Sequence, residues 1–117
     1  MSAVIAERSL TIEKDGVEDH GTVRIFAPGH HGDHWRCDWD IAWPGFQERN
    51  YGAGQDSYQA LFAAIQIVPL IIATTDDYKN GNLRWHGMPL SGPCDPALGG
   101  ITNLEAFFAK PLLGSRT

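Results

Sequence analysis

The chain is poor in basic residues. Its 117 residues include nine Lys and Arg against fourteen Asp and Glu, so the formal net charge is −5. No two basic residues are adjacent in the sequence, and phosphate binding needs a clustered basic surface. The composition therefore predicts that nucleic acid is not a partner. An acidic surface instead favours association with a basic protein.

Cysteine, leader-like segments and membrane-length apolar runs are also scarce. The two cysteines, Cys37 and Cys94, could form one disulfide, but two reduced thiols in a cytoplasmic protein are the better interpretation. The first residues, MSAVIAERSL, hold no apolar stretch behind a basic start, which argues against a secretory signal. Residues 60–73 are apolar except for Gln66. Because a membrane span needs about 20 such residues, they predict a buried helix and no membrane partner.

Alternating apolar and polar residues indicate antiparallel strands in the first half of the chain. Residues 4–13 and 20–27 alternate, and residues 28–33 are rich in Gly and His and predict a loop. The next strand has the clearest pattern, with a charged face opposite an apolar one formed by Trp35, Cys37, Trp39, Ile41 and Trp43. Weaker strands are predicted at residues 46–51, at an edge, and at residues 83–86.

A long helix is predicted from Ser57 to Ala73. Asp56 is suited to cap it, with Gln59 three residues later as in a capping box. Before it, residues 52–54 (GAG) predict a flexible turn rather than a phosphate-binding loop, because no Lys follows the last glycine. The pattern predicts an inner apolar stripe of Leu61, Ile65, Val68 and Ile72, and a second one of Ala60, Ala63, Ala64, Ile67 and Ile71.

A helix with two apolar sides needs a second cover. The C-terminal residues 97–113 supply an apolar set for that purpose, and a homodimer through the helix is the alternative. Both a monomer and a homodimer are therefore open. The fold expected is a single α+β domain over residues 1–117: an antiparallel meander of four to five strands packed on one long helix, followed by an irregular C-terminal tail.

Two groups of residues are candidates for a site. His30, His31, Asp33 and His34 lie within five residues and are of the types that bind divalent metals, although a solvated loop explains them equally well. Trp35, Trp43 and Trp85 could form a binding patch, and the same residues could pack as an aromatic core beneath the alanines of the helix.

The sequence offers little for catalysis. Ser57 near the helix start has no placed histidine partner, and Cys37 has the parity of a buried, inert thiol. Carboxylate pairs such as Asp38 with Asp40 are typical of a solvated face. No cofactor motif is present, so we expect a protein without catalytic activity and without a cofactor, with a divalent metal at the histidines as the one exception.

Three segments carry a resemblance to a known family. They are residues 6–10 (AERSL), the strand of residues 35–43, and residues 51–61 (YGAGQDSYQAL). In these segments the chain resembles a family of short bacterial domains of unknown function that open with an AER-L strand. The resemblance spans residues 3–86 and implies a bacterial, cytoplasmic protein. It carries over no catalytic residue.

Together these observations favour a small acidic binding module over an enzyme. An immunity- or antitoxin-like protein that blocks a basic partner is a natural form of that class. The alternative is a small metal- or ligand-binding protein that uses the loop from His30 to His34 or the tryptophan-rich face.

Overall fold

A computed structural model of the protein describes residues 3–90, except for the side chains of residues 88 and 89. In this range the α+β class and the antiparallel sheet are confirmed. The tail predicted to be irregular, with the apolar residues 97–113, lies outside the described residues. The elements are β1 (Val4–Lys14), β2 (Val17–Phe26), β3 (Gly29–His31), β4 (His34–Trp43), β5 (Phe46–Gly54), α1 (Ser57–Ala73), α2 (Asp76–Lys79), β6 (Leu83–Trp85) and β7 (Met88–Pro89).

The strands form one antiparallel sheet whose order only partly follows the chain. Strands β1, β2, β4 and β5 are neighbours in that sequence, and β3 pairs with the start of β4. After the helices the chain returns to the other side of the sheet, where β6 pairs with Thr11 and Ile12 of β1. The meander expected from the sequence therefore covers the first strands and not β6.

The start of α1 is as the sequence predicts. Asp56 caps the helix by accepting a hydrogen bond from the backbone nitrogen of Gln59 at 2.8 Å. The Gln59 side chain in turn accepts one from the backbone nitrogen of Gln55 at 2.6 Å. Pro69 is buried inside the helix. Neither helix found in residues 3–90 has the length and hydropathy needed to cross a bilayer.

The glycines before α1 are part of β5, which corrects the flexible turn expected there. A Cβ atom at Gly52 would lie 2.5 Å from the backbone nitrogen of Ala64, and one at Gly54 would lie 2.5 Å from that of Ala60. Such distances leave no room for a side chain, so the backbones of α1 and β5 are in direct contact. The glycines therefore serve close packing between helix and sheet.

This close packing also changes which side of α1 faces the sheet. Apart from Pro69, the buried positions are Ala60, Ala64, Val68 and Ile72, which recur every four residues on one face. Leu61 and Ile65, predicted to belong to the inner stripe, are only half-buried on its flank. The prediction was right for Val68 and Ile72 and wrong for Leu61 and Ile65. It ranked residues by hydrophobicity, whereas the glycines of β5 leave room only for small side chains, Ala60 and Ala64, where they meet the helix.

Candidate functional site

The four candidate metal ligands lie on the β3–β4 hairpin, not in the loop that was expected. Gly29–His31 pair with residues 34–36, and Gly32, at φ +63°, begins a two-residue turn that suits glycine. His30 and His31 are consecutive in a strand, so their side chains leave opposite faces of the sheet. His30 packs edge-on against Trp35, with ring centroids 5.0 Å apart.

The other three residues meet only in part at the tip of this hairpin. Nδ1 of His34 lies 3.2 Å from Oδ1 of Asp33, and this hydrogen bond lowers the pKa of Asp33. The ring centroids of His31 and His34 are 6.5 Å apart. Within residues 3–90, no three His, Cys, Asp or Glu side chains are placed to hold one metal ion. A metal bound by His30, His31, Asp33 and His34 stays a prediction that requires these side chains to move.

We expect the replacement of His30, His31 and His34 by Ala to lower the free energy of unfolding by about 1 kcal/mol or less. The hairpin lies outside the core, and the largest packing loss is the contact of His30 with Trp35. Urea denaturation with and without EDTA provides the measurement. A loss of several kcal/mol, or destabilisation of the unmodified chain by EDTA, would instead reveal a structural metal.

The tryptophans divide between the core and its margin. Trp39 and Trp43 are 1% and 5% exposed, and Nε1 of Trp43 donates to Oδ2 of Asp77 at 2.9 Å. Trp35, at the opposite end of β4 from Trp43, is half-buried. Trp85 on β6 is also half-buried, beneath the guanidinium of Arg8 at 4.4 Å. Of the three predicted interaction residues, Trp35 and Trp85 therefore have accessible surface, and Trp43 is a core residue.

Cys37 has the environment of an inert thiol. It is fully buried, and its Sγ donates to the carbonyl oxygen of Phe26 at 3.2 Å. Burial, with a smaller contribution from the charge of Asp38, raises the pKa of the thiol to about 11. A thiol with this pKa is almost wholly protonated at neutral pH, so Cys37 is a poor nucleophile. Cys94 lies outside the described residues.

A row of charges with alternating sign crosses the sheet face opposite α1. The strand register places Glu7 beside Arg24, Arg24 beside Asp40, and Asp40 beside Arg49. Arg24 donates to both carboxylate oxygens of Asp40 at 3.1 and 3.0 Å, and Arg49 lies 3.5 Å from Asp40. The hydrogen bond and charge of Asp40 raise the pKa of Arg24. Because each charge has a neighbour of opposite sign, this row connects four strands.

Beside this row, aromatic rings are covered by arginines. The guanidinium of Arg36 lies 3.6 Å from the ring centroid of Tyr51, and those of Arg24 and Arg49 lie 5.8 and 6.0 Å from that of Phe26. Tyr51 is 41% exposed. Arg and aromatic residues are frequent at the energetic centres of protein interfaces. Side chains already held in place lose less entropy when a partner binds.

An acidic hairpin, residues 13–19, projects from the same sheet. Strand β2 pairs with β4 only from residue 22 onward, and residues 13–20 are all exposed. Four carboxylates against one lysine give the hairpin a net charge of −3. Glu13 and Glu18 are paired directly across the two strands, and like charges in this position are destabilising. Arg84, whose Nη2 is 3.5 Å from Oε1 of Glu13, relieves only part of this repulsion.

An apolar groove of about 390 Å³ runs along α1 on the side of β1 and β2. Among the described residues that line it, Arg8 is the one cation and Glu7 is the one anion. The Glu7 side chain contributes to the charged row on the other face, where it helps to raise the pKa of Arg24. The apolar lining is formed by Ile5, Ala6, Leu10, Val23, Ile25, Leu61, Ile65, Val68, Pro69 and Ile72.

Comparison with known families confirms the resemblance. The sequence profile of a family described as domain of unknown function DUF6968 matches residues 6–94, which is most of the chain. The chain belongs to this family. No curated protein and no solved structure matches the chain. The DUF6968 match includes the charged row, the acidic hairpin and all but the first residue of the groove lining.

The charged row and the groove were missed by sequence reasoning for the same reason. Asp38 and Asp40 were expected on a solvated face, but Asp40 is only 6% exposed. Its partners Arg24 and Arg49 are set by the register between neighbouring strands, which residue spacing along the chain does not reveal. The groove depends on where α1 lies, and this position follows from Gly52 and Gly54. The available signal for the helix position was the coincidence of alternating glycines with alanines in the first two turns of the helix.

Proposed function

We propose that this DUF6968 domain is a non-catalytic binding module for a basic protein. The acidic hairpin is the observation that carries the proposal. It is exposed along its length, and it opposes Glu13 to Glu18 at a cost in stability. A lysine or arginine of a partner, placed between these two carboxylates, relieves their repulsion and forms charge-assisted hydrogen bonds.

The net charge and the open sheet face support the same function. A charge of −5 attracts a basic partner over long distances and accelerates association. Once the partner is close, Tyr51 and Arg36 on the face opposite α1 offer an exposed ring and a fixed guanidinium for contact. An immunity- or antitoxin-like inhibitor in the bacterial cytoplasm, acting as a monomer or a homodimer, is the form of this function that we propose.

A charge reversal in the hairpin tests the proposal. The unmodified chain and its Glu18→Lys variant are used to capture proteins from nuclease-treated extract of the native host, and the captured protein is purified for titration calorimetry. We expect a basic partner whose Kd rises about tenfold with Glu18→Lys, equivalent to about 1.4 kcal/mol. The Kd is also expected to rise with salt concentration.

Asp33→Lys is the matched control, because it makes the same change in charge on an exposed residue of the β3–β4 turn. It is expected to change the Kd less than twofold. Capture of no partner, capture of an acidic partner, or equal loss of affinity in both variants would contradict the proposal.

The groove favours the alternative function of a ligand-binding protein. Its volume of about 390 Å³ is within the range of small-molecule sites, and its lining is almost entirely apolar. This function does not depend on the hairpin, and the two can coexist in one domain.

A further inference from the structure

We propose that the groove between α1 and strands β1 and β2 binds an aliphatic carboxylate, with the hydrocarbon chain along α1 and the carboxylate at Arg8. This site is separate from the protein-binding surface proposed above and does not depend on it. Three features of the groove support this assignment: its apolar lining, the guanidinium of Arg8 without a carboxylate partner among the described residues, and the direction of Glu7.

The lining of the groove is suited to a hydrocarbon chain. Aliphatic side chains from α1 form one wall, represented by Leu61 and Ile65, and Val23 and Ile25 of β2 belong to the other side. Ile5 is 50% exposed at the margin of the groove. Removing such apolar surface from water stabilises a complex, so a hydrocarbon chain of matching shape is favoured here.

Arg8 differs from the other described arginines. Arg24, Arg36, Arg49 and Arg84 each have a carboxylate oxygen within 3.5 Å. Within residues 3–90, Arg8 forms no such pair, and its guanidinium lies instead 4.4 Å from the centroid of the Trp85 ring. Stacking on an aromatic ring fixes a guanidinium and leaves its N–H groups free at the rim of the plane. Arg8 is therefore held ready to donate to an anion.

The charges around the groove select a monoanion. Because successive side chains in a strand point to opposite faces, the Glu7 side chain lies on the sheet face opposite that of Arg8, beside Arg24. Of the two charged residues in the described lining, Glu7 and Arg8, only Arg8 has the strand parity that faces the groove. One guanidinium pairs with one carboxylate through two parallel hydrogen bonds. A dianionic phosphate would retain an uncompensated charge beside an apolar wall, and such a charge is costly.

Titration calorimetry of the full-length chain with dodecanoate, below its micellar concentration, tests the site. We expect dodecanoate to bind at one site per chain. Arg8→Gln should raise the Kd of dodecanoate at least tenfold and change the Kd of dodecanol, which lacks the carboxylate, less than twofold. Arg84→Gln is the matched control, because Arg84 is an arginine of the neighbouring strand β6 that does not line the groove. It is expected to leave both ligands unchanged.

Methyl NMR of the same chain locates the ligand. We expect dodecanoate to shift the signals of Ile5, Leu61 and Ile65. We also expect the Glu18→Lys variant to bind dodecanoate as the unmodified chain does, because Glu18 belongs to the protein-binding surface. Failure of the groove proposal is therefore distinguishable from failure of the proposed protein-binding function. Equal effects of Arg8→Gln on dodecanoate and dodecanol would overturn the carboxylate assignment. Dissociation of a dimer by dodecanoate would assign the groove to a second copy of the chain. Contacts between the methyl groups that line the groove and residues 97–113 would assign the groove to the chain's own tail. Either outcome overturns the proposal.

Discussion

Gly52→Ala is expected to lower the free energy of unfolding by about 3 kcal/mol, a large effect for one added methyl group. The new Cβ would lie 2.5 Å from the backbone nitrogen of Ala64 and 2.9 Å from the carbonyl oxygen of Ala60. Both atoms belong to the helix backbone, so no side chain can rotate to make room. Helix α1 as a whole must move away from β5, and contacts along the helix loosen with it.

Gly29→Ala is the matched control for this prediction. A Cβ at Gly29 would have its nearest neighbour at 3.9 Å, an ordinary contact with the His31 ring. We expect this variant to change stability by less than about 0.5 kcal/mol. Urea denaturation followed by tryptophan fluorescence measures both variants. Equal stability of the two would mean that α1 does not rest on the backbone of β5.

Local patterns were sufficient to predict the elements that bury one face against the core. The alternation in residues 35–43 predicted β4 and the inward position of Cys37, Trp39 and Ile41, all of which are buried. Asp56 and Gln59 predicted the start of α1, because capping involves only neighbours in sequence. The end of α1 at Ala73 was predicted because the apolar run stops there, which is also a local signal.

Features that depend on contacts between distant residues could not be predicted in this way. The pairing of β6 with β1 joins residues about seventy positions apart in sequence, and its local pattern is three residues long. The histidines were expected in a loop because Gly32 and its neighbours are common in loops, whereas the same residues also suit a tight hairpin turn. The sequence of such a short segment does not distinguish the two.

In the candidate site, too, local features were predictable and features that depend on contacts between distant residues were not. The acidic residues of the hairpin were counted in the net charge, but the opposition of Glu13 and Glu18 is visible only in the register of β1 and β2. Arg8 was part of the AERSL motif with no role of its own. Its relation to Trp85 requires the return of β6 to the side of β1.

Asp77 connects the helical segment after α1 to the aromatic core. It accepts hydrogen bonds from Nδ2 of Asn82 at 3.0 Å and from Nε1 of Trp43 at 2.9 Å. Nζ of Lys14 lies 3.9 Å from the same carboxylate. The hydrogen bond from Asn82 contributes most to a lowered pKa of Asp77, Trp43 and Lys14 act in the same direction, and burial opposes them.

Asp77→Asn is expected to lower the free energy of unfolding by about 2 kcal/mol at pH 7. A neutral amide oxygen accepts hydrogen bonds less strongly than a carboxylate oxygen, and the amide N–H groups would face the donors of Trp43 and Asn82. Since the folded pKa lies below the unfolded value of about 3.9, the charged form stabilises the fold above pH 4 to 5, and this contribution is lost as the pH falls through the folded pKa. The difference between the two chains in urea denaturation should therefore shrink between pH 5 and pH 2.5. Asp76→Asn, a change at the exposed neighbouring carboxylate, is expected to cost less than about 0.5 kcal/mol. If the loss of unfolding free energy caused by Asp77→Asn is the same at every pH, the effect comes from the shape of the side chain and not from the charge that faces Trp43 and Asn82.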